Sequence, residues 1–404
     1  MKKLFFALAL LCATAVHAQQ YMRLWQNAES TRCLQQDITF SNAGKTVSID
    51  GKQYATSQLD SITIVKTIFV TWNGAAAQVV IPESAQSEVT VTTDGGHVTI
   101  TNNNVMQEME FVLAGSSTNG SLTYNGQYKC KFHLNGLNLT STKGAALDIQ
   151  CGKRIDLVLT PGTNNVLTDA VGGQQKAALY CKGHLEIGGS GNLTIAGRSK
   201  HALSTKEYLF LKSSCGKITI AESASDGLHI GQYFMMNGGT VVVDAKTKGD
   251  CIQVDATEDA TDEFNGQAII KGGTLTLTAA NEDCKALKTG AAESGLVPAG
   301  DITISGGTLN LTASGKGSRA IQTDANLYFS AADHALECNI TASGSKCSEV
   351  DSHKCYGIKI GNTITVDGVI VNVMYKSTAK PHKCDGNDGF VISKNGGKIN
   401  AKSI

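Results

Sequence analysis

Aspartates recur at one position of a repeating phrase in this chain. A small residue followed by Leu, Ile or Phe returns along the sequence, and Asp226 and Asp250 precede it in successive repeats. If the repeats stack as strands about 4.8 Å apart, the two carboxylates repel by about 3–4 kcal/mol at an effective dielectric of about 20. A calcium ion would remove this repulsion and suits an exported protein, with Asp255 and Asp283 as further ligands nearby. The alternative is that Asp226-Gly227 is only a turn pair.

Two lysines and two tyrosines occupy other repeated positions. Lys182 and Lys206 stack as like charges, and they could hold the carboxylate of a uronate sugar or form a solvated edge. Lys206 could also abstract a proton if its pKa were depressed. Tyr208 and Tyr233 should point outward in successive repeats, as a platform for sugar rings or as a surface that a loop covers.

The spacing of the phrase predicts the fold that must position these residues. The small residues Ala178, Ala202, Gly227 and Cys251 are separated by 24, 25 and 24 residues. A fixed period of this size indicates stacked supersecondary units. Twenty-four residues suit one turn of a three-sided, right-handed parallel β-helix, whereas a propeller would need antiparallel blades. Longer later steps predict polar insertions at residues 258–263 and 291–298.

The chain divides into three predicted regions. Residues 1–18 have the charged start, apolar stretch and small-residue cleavage site of a secretory signal peptide. Residues 19–71 lack the repeat and predict a small N-terminal β-module or cap, because an open solenoid end exposes strand edges. Residues 72–404 form the predicted parallel β-helix. The mature protein is expected to be exported, to the periplasm, cell surface or medium, without a membrane span.

Composition and motifs exclude several classes of function. Lys and Arg number 35, as do Asp and Glu, so no bulk field attracts a polyanion, and nucleic-acid binding is not expected. The nine histidines show no metal-ligand spacing, and no hydrolase motif is present. Most cysteines near the repeats are predicted to pack as buried thiols. Bridges are expected instead among Cys338, Cys347, Cys355 and Cys384.

Several phrases resemble a family of exported bacterial carbohydrate-binding domain proteins. They include residues 162–169 (GTNNVLTD), residues 189–195 (GSGNLTI), Asp226-Gly227-Leu228 and three Gly-Gly-Thr strands. The resemblance covers roughly residues 70–329. It implies a right-handed parallel β-helix that carries calcium on aspartates and binds polygalacturonate-like polymers, related in fold to pectate-type lyases. Lys285 and Arg319 replace the family's aspartate in two later repeats.

The sequence therefore predicts a non-catalytic, calcium-dependent binder of acidic, pectin-like polysaccharide. Asp226, Asp250, Asp255 and Asp283 are the predicted calcium ligands. The predicted sugar contacts are Lys182, Lys206, Tyr208 and Tyr233. Two alternatives remain open: a polysaccharide lyase that uses calcium and Lys206 as the base for β-elimination, and a structural or adhesive surface protein without glycan affinity.

Overall fold

The computed structural model describes residues 21–26, 29–34, 38–49, 51–347, 354–386 and 390–404. The predicted signal peptide, residues 1–18, lies outside these residues. The described chain is all-β, and its helical segments are two short 3-10 turns at Thr56–Gln58 and Glu83–Ala85. Within the same residues, no helix has the length and apolar character needed to cross a bilayer.

The strands are short and follow one another along the chain. The first group is β1 (Tyr21–Gln26), β2 (Glu29–Leu34), β3 (Ile38–Ser41), β4 (Thr46–Ile49), β5 (Lys52–Ala55), β6 (Ser61–Val65), β7 (Thr67–Asn73), β8 (Ala76–Val80), β9 (Val89–Asp94), β10 (Gly96–Asn102), β11 (Met109–Ser117), β12 (Gly120–Gly126) and β13 (Cys130–Thr140). The middle group is β14 (Leu147–Gln150), β15 (Ile155–Leu159), β16 (Asn164–Thr168), β17 (Ala177–Cys181), β18 (Leu185–Gly188), β19 (Asn192–Gly197), β20 (His201–Thr205), β21 (Leu209–Leu211), β22 (Lys217–Ser223), β23 (Leu228–Ile230), β24 (Phe234–Met236), β25 (Thr240–Val243), β26 (Ile252–Asp255), β27 (Ala268–Ile270) and β28 (Thr274–Ala279). The last group is β29 (Lys285–Gly290), β30 (Ile302–Ile304), β31 (Gly307–Ala313), β32 (Arg319–Thr323), β33 (Leu327–Phe329), β34 (Leu336–Ala342), β35 (Cys355–Ile360), β36 (Ile364–Asp367), β37 (Ile370–Tyr375), β38 (Ala379–Cys384), β39 (Val391–Lys394) and β40 (Lys398–Ser403).

Parallel pairing repeats at every third strand. From β14 onward each strand pairs in parallel with the strand three places later, so three strands make one winding. One strand from each winding belongs to a 12-stranded sheet that runs from β9 to β38, and the remaining strands join a 22-stranded network. The repeat phrase lies in the 12-stranded sheet, and its strands pair in parallel, as the sequence predicted.

The first windings depart from this regular pattern. β13 is long enough to pair with both β15 and β16, and β11 pairs with β13 across a bulge between Ala114 and Gly115. Gly115 has a φ of +87°, and a Cβ there would lie 2.1 Å from the carbonyl oxygen of Trp72, so only glycine fits. The N-terminal strands form two antiparallel sheets, β2-β1-β6 and β3-β4-β5.

Aliphatic ladders fill the interior of the windings. Stacked, fully buried side chains in the 12-stranded sheet are Leu147, Leu179, Leu203, Leu228, Ile252, Leu287, Ile321 and Ile358. Each such side chain contributes about 1.5–3 kcal/mol through its removal from water. The small residues that precede these positions, such as Ala202 and Cys251, are also buried. The residues that follow them, such as Gln253 and Lys288, alternate to the outer face and make it polar.

The cysteines add to the core as thiols. Cys151, Cys181 and Cys251 are fully buried and unbridged, as predicted, and burial raises the pKa of Cys181 to about 12. Cys338, Cys355 and Cys384 are also free. The prediction of bridges is therefore wrong for these three, because their register neighbours are aliphatic side chains and not cysteines: Leu309 and Val371 for Cys338, Ala379 for Cys355 and Ile360 for Cys384.

Candidate functional site

Two grooves lie on the outer face of the 12-stranded sheet. The first, here the carboxylate groove, has a volume of about 850 Å³, and the second, here the lysine groove, about 480 Å³. Lys206 lines both. The two insertions expected from the sequence are loops that leave the stack: Glu258 and Glu293 line the carboxylate groove, and the amide of Ser294 donates to Glu258 at 2.9 Å.

The two grooves carry opposite charge. Three lysines and five carboxylates line the carboxylate groove, an excess of two negative charges: Lys200, Lys206, Lys288, Glu207, Asp255, Glu258, Asp262 and Glu293. Three lysines and one carboxylate line the lysine groove, an excess of two positive charges: Lys176, Lys182, Lys206 and Asp148. The lysine groove therefore suits an anion directly, whereas the carboxylate groove suits a cation.

Lys182 and Lys206 meet as the sequence predicted. Cys181 and Thr205 pair in register, and the amide of Lys206 donates to the carbonyl of Cys181 at 2.9 Å, so the two exposed lysines occupy successive windings. Like charges at this spacing repel one another. A bound carboxylate would relieve that repulsion.

Tyr208 and Tyr233 line neither groove. They stack on each other with ring centroids 4.6 Å apart, and His184 stacks on Tyr208 at the same separation. Phe264 packs edge-on against Tyr233. The ring faces of Tyr208 are thus covered by protein, and the edges remain for contact. Burial raises the pKa of Tyr233 to about 12.

Asp226 and Asp250 lie in successive windings, as predicted, but their carboxylates do not simply face each other. One oxygen of Asp226 accepts the amide of Asp250 at 2.9 Å, and one oxygen of Asp250 accepts the amide of Lys285 at 2.7 Å. The other oxygen of Asp250 lies 3.4 Å from the Lys288 ammonium. Burial, partly offset by the lysines, raises the pKa of Asp250.

Asp226 has two histidine partners that sequence reasoning missed. The Nδ1 atoms of His201 and His229 lie 3.2 and 2.9 Å from its Oδ2 atom. The two imidazole rings stack at 4.2 Å. Burial opposes ionisation of Asp226, but the hydrogen bonds from both histidines outweigh it and lower its pKa well below the usual range. Sequence spacing gave no sign of this pair, because 28 residues separate the two histidines and only the stacking of the windings brings them together.

The other two predicted metal ligands lie on either side. Asp255 lines the carboxylate groove, with Oδ2 3.5 Å from His229 Nε2 and Oδ1 accepting the Gln253 amide at 2.7 Å. Asp283 is separate: it pairs with Arg319 and lies 3.3 Å from the Lys285 ammonium. Burial is outweighed there by Lys285 and Arg319, which lower the pKa of Asp283.

Calcium needs six to eight oxygen ligands around one point. All four predicted aspartates already accept hydrogen bonds or ion pairs from the protein. A calcium ion at any of them would have to displace a donor. Asp255 is the predicted ligand that reaches the groove, where Glu258 and Asp262 supply further oxygens.

The fold and grooves define an all-β protein of stacked parallel windings with a polar, charged outer face. A sequence profile of carbohydrate-binding domain-containing proteins matches residues 94–403. The chain belongs to that family. A carbohydrate-binding domain-containing protein of Acetivibrio thermocellus is 27% identical over 120 residues, which cover 27% of this chain and 41% of that relative.

A solved structure has a similar fold. It is described as the polysaccharide lyase-like protein from C. thermocellum, gadolinium derivative, and it superposes with a TM-score of 0.52 at 18% identity. The superposition covers 67% of this chain and 99% of that chain. At this level of identity the likeness concerns the fold.

Proposed function

We propose that this protein binds acidic polysaccharide without cleaving it, and that it is exported to do so. The windings would form a right-handed parallel β-helix with the N-terminal sheets as its cap. The observation that carries the proposal is the lysine groove, where Lys182 and Lys206 from successive windings stand beside Lys176 with one carboxylate opposing them. Membership of a carbohydrate-binding family supports a glycan as the anion.

Calcium dependence is part of the same proposal. The carboxylate groove has an excess of negative charge, so a uronate polymer that continues into it from Lys206 would be repelled. A calcium ion held by Asp255 with Glu258 and Asp262 would cancel the excess of two negative charges and remove that repulsion. Asp226, Asp250 and Asp283 would then contribute to the charge around the ion without ligating it.

The test is calorimetric titration of polygalacturonate fragments into the protein, in calcium and in chelator. Lys206→Ala should weaken binding about fivefold, since one exposed charge pair contributes up to about 1 kcal/mol. Lys217→Ala is the matched control, because that exposed lysine begins β22 in the 22-stranded network.

Each outcome has a distinct meaning. Binding that is tighter in calcium than in chelator and that weakens in Lys206→Ala supports the whole proposal. Equal affinity in chelator removes calcium from it, and absence of binding in both conditions removes acidic polysaccharide. An unsaturated product that absorbs in the ultraviolet would replace the binding role with lyase activity, for which Lys206 is the predicted base.

A further inference from the structure

The outer face of β37 and β40 carries both lysines and large apolar side chains. The two strands pair in parallel. Val371 and Val373 of β37 are fully buried, and because side chains alternate along a strand, the residues beside them point outward. These outward residues and their register partners are here called the basic–apolar patch: Ile370, Asn372, Met374, Lys376, Lys398, Asn400, Lys402 and Ile404. The patch contains no acidic residue.

The patch differs in residue type from the windings stacked before it. The equivalent outward positions of β28, β31 and β34 hold mainly threonine and asparagine: Thr274, Thr276, Thr278, Thr308, Asn310, Thr312, Glu337, Asn339 and Thr341. None of these is a large apolar residue. In the patch, by contrast, Ile370, Met374 and Ile404 are 49%, 40% and 57% exposed.

Protection of a strand edge explains only part of the patch. Lysines on an edge strand discourage association between strand edges, which would account for Lys398 and Lys402 on β40, the last strand described. It does not account for Ile370 and Met374, because β37 pairs with β34 on one side and with β40 on the other. Exposed apolar side chains grouped on an interior strand indicate an interaction surface.

The patch also lies in the most basic part of the chain. Residues 354–404 contain eight lysines, three aspartates and no arginine or glutamate, which is an excess of five positive charges in a chain that is neutral overall. Within the part of the chain that the structure describes, Lys376, Lys398 and Lys402 are exposed and form no ion pair. The ion pairs nearest in sequence join Lys359 and Lys383 to Asp385 on the 12-stranded sheet.

A partner for the patch must accept positive charge and aliphatic side chains together. An acidic polysaccharide would pair with the lysines but would leave Ile370 and Met374 against polar hydroxyl groups. A second copy would bring two sets of lysines face to face, because an isologous contact presents the same surface twice. A bilayer with anionic headgroups accepts both kinds of side chain. We propose that the basic–apolar patch binds an anionic lipid surface peripherally, independently of the glycan site.

Co-sedimentation of the whole protein with lipid vesicles tests this proposal. Binding is expected to vesicles of equal parts phosphatidylglycerol and phosphatidylcholine, and not to phosphatidylcholine alone, and it should weaken as NaCl is raised. Lys398→Ala/Lys402→Ala should weaken binding about 25-fold, which corresponds to about 1 kcal/mol for each lysine. Ile370→Ser/Met374→Ser should weaken binding at low and high salt alike, because it removes the apolar contribution.

The matched control is Lys217→Ala/Lys246→Ala, since both lysines are exposed on earlier windings. It should bind the mixed vesicles as tightly as wild type. Absence of binding to the mixed vesicles, equal binding to phosphatidylcholine alone, or wild-type binding by Lys398→Ala/Lys402→Ala would overturn the proposal. A loss of polygalacturonate affinity in Lys398→Ala/Lys402→Ala would also overturn it, because the two lysines would then belong to the glycan site.

Discussion

Asp226 joins three windings through its two carboxylate oxygens. One oxygen accepts the backbone amide of Asp250, and the other contacts His201 and His229. Its pKa is lowered because these hydrogen bonds outweigh the penalty of burial. A carboxylate with a depressed native pKa contributes stability that is present above its unfolded pKa of about 3.9 and is lost as pH falls below it.

Asp226→Asn should therefore flatten the acid side of the stability profile. At neutral pH the variant should lose about 1.5–3 kcal/mol, since hydrogen bonds to a charged group are replaced by neutral ones. Below about pH 4 the difference from wild type should shrink. Urea midpoints measured from neutral to acid pH check this, with exposed Asp244→Asn as control. A constant difference at every pH would contradict the argument.

At the scale of residues, the period of the repeat was enough to predict some neighbours and not others. Asp226 and Asp250 occupy one repeat position, so their proximity followed from spacing alone. The proximity of Lys182 and Lys206 also followed from spacing alone. His201 and His229 occupy different repeat positions, and their contact depends on side-chain direction across two windings. Spacing carries no information about that direction.

A strand of the 12-stranded sheet presents alternate side chains to the core and to the grooves. In β29, Leu287 is fully buried between Ile252 and Ile321, and the adjacent Lys288 lines the carboxylate groove. Leu287→Ala should cost about 2–5 kcal/mol of stability through the cavity it leaves. Lys288→Ala should cost less, about 1–2 kcal/mol, because it removes only the ammonium that lies 3.4 Å from the buried Asp250 carboxylate.

Denaturant midpoints for both variants test this alternation, and the glycan titration provides the second readout. Lys288→Ala should change binding in calcium without a large shift in midpoint, whereas Leu287→Ala should do the reverse. Similar midpoints for the two variants would mean that the outward position is as important to folding as the core, which contradicts the observed burial.

Close contact between windings also restricts the turn that precedes β26. Gly249 donates its amide to the Ser225 carbonyl at 2.8 Å, and an added Cβ would lie 2.4 Å from Asp226 Oδ1 and 2.7 Å from the Ser225 carbonyl carbon. Gly249→Ala should destabilise the protein by about 1–3 kcal/mol because backbone must move. Gly152→Ala, with open space around its Cβ, should stay within about 0.5 kcal/mol of wild type. Thermal unfolding of the two variants measures this difference in stability.

For the whole molecule, repetition determined how much the sequence could predict. The regular windings, the inward aliphatic ladders and the two insertions follow from spacing and alternation. The long strands β11 and β13 could not be predicted in this way. Their pairing depends on the bulge at Gly115 and not on a repeat. The charge difference between the grooves likewise arises only when distant loops meet.

The chain as a whole is neutral, with 35 basic and 35 acidic side chains, so attraction of a polyanion must come from local charge. At an ionic strength of about 0.15 M, screening acts over about 8 Å, so only charges close to the bound polymer attract it. In chelator, polygalacturonate should therefore bind through the lysine groove alone, and its affinity should fall steeply between about 0.05 M and 0.5 M NaCl.

The double variant Lys182→Ala/Lys206→Ala should lose most of that salt dependence in chelator, because it removes two of the three lysines in the groove. In calcium the wild-type protein should retain more affinity at high salt, since direct ligation of sugar carboxylates by a metal is screened less than contact between exposed charges. Titrations at several salt concentrations measure both slopes. Equal slopes for wild type and the double variant in chelator would place the anion outside the lysine groove.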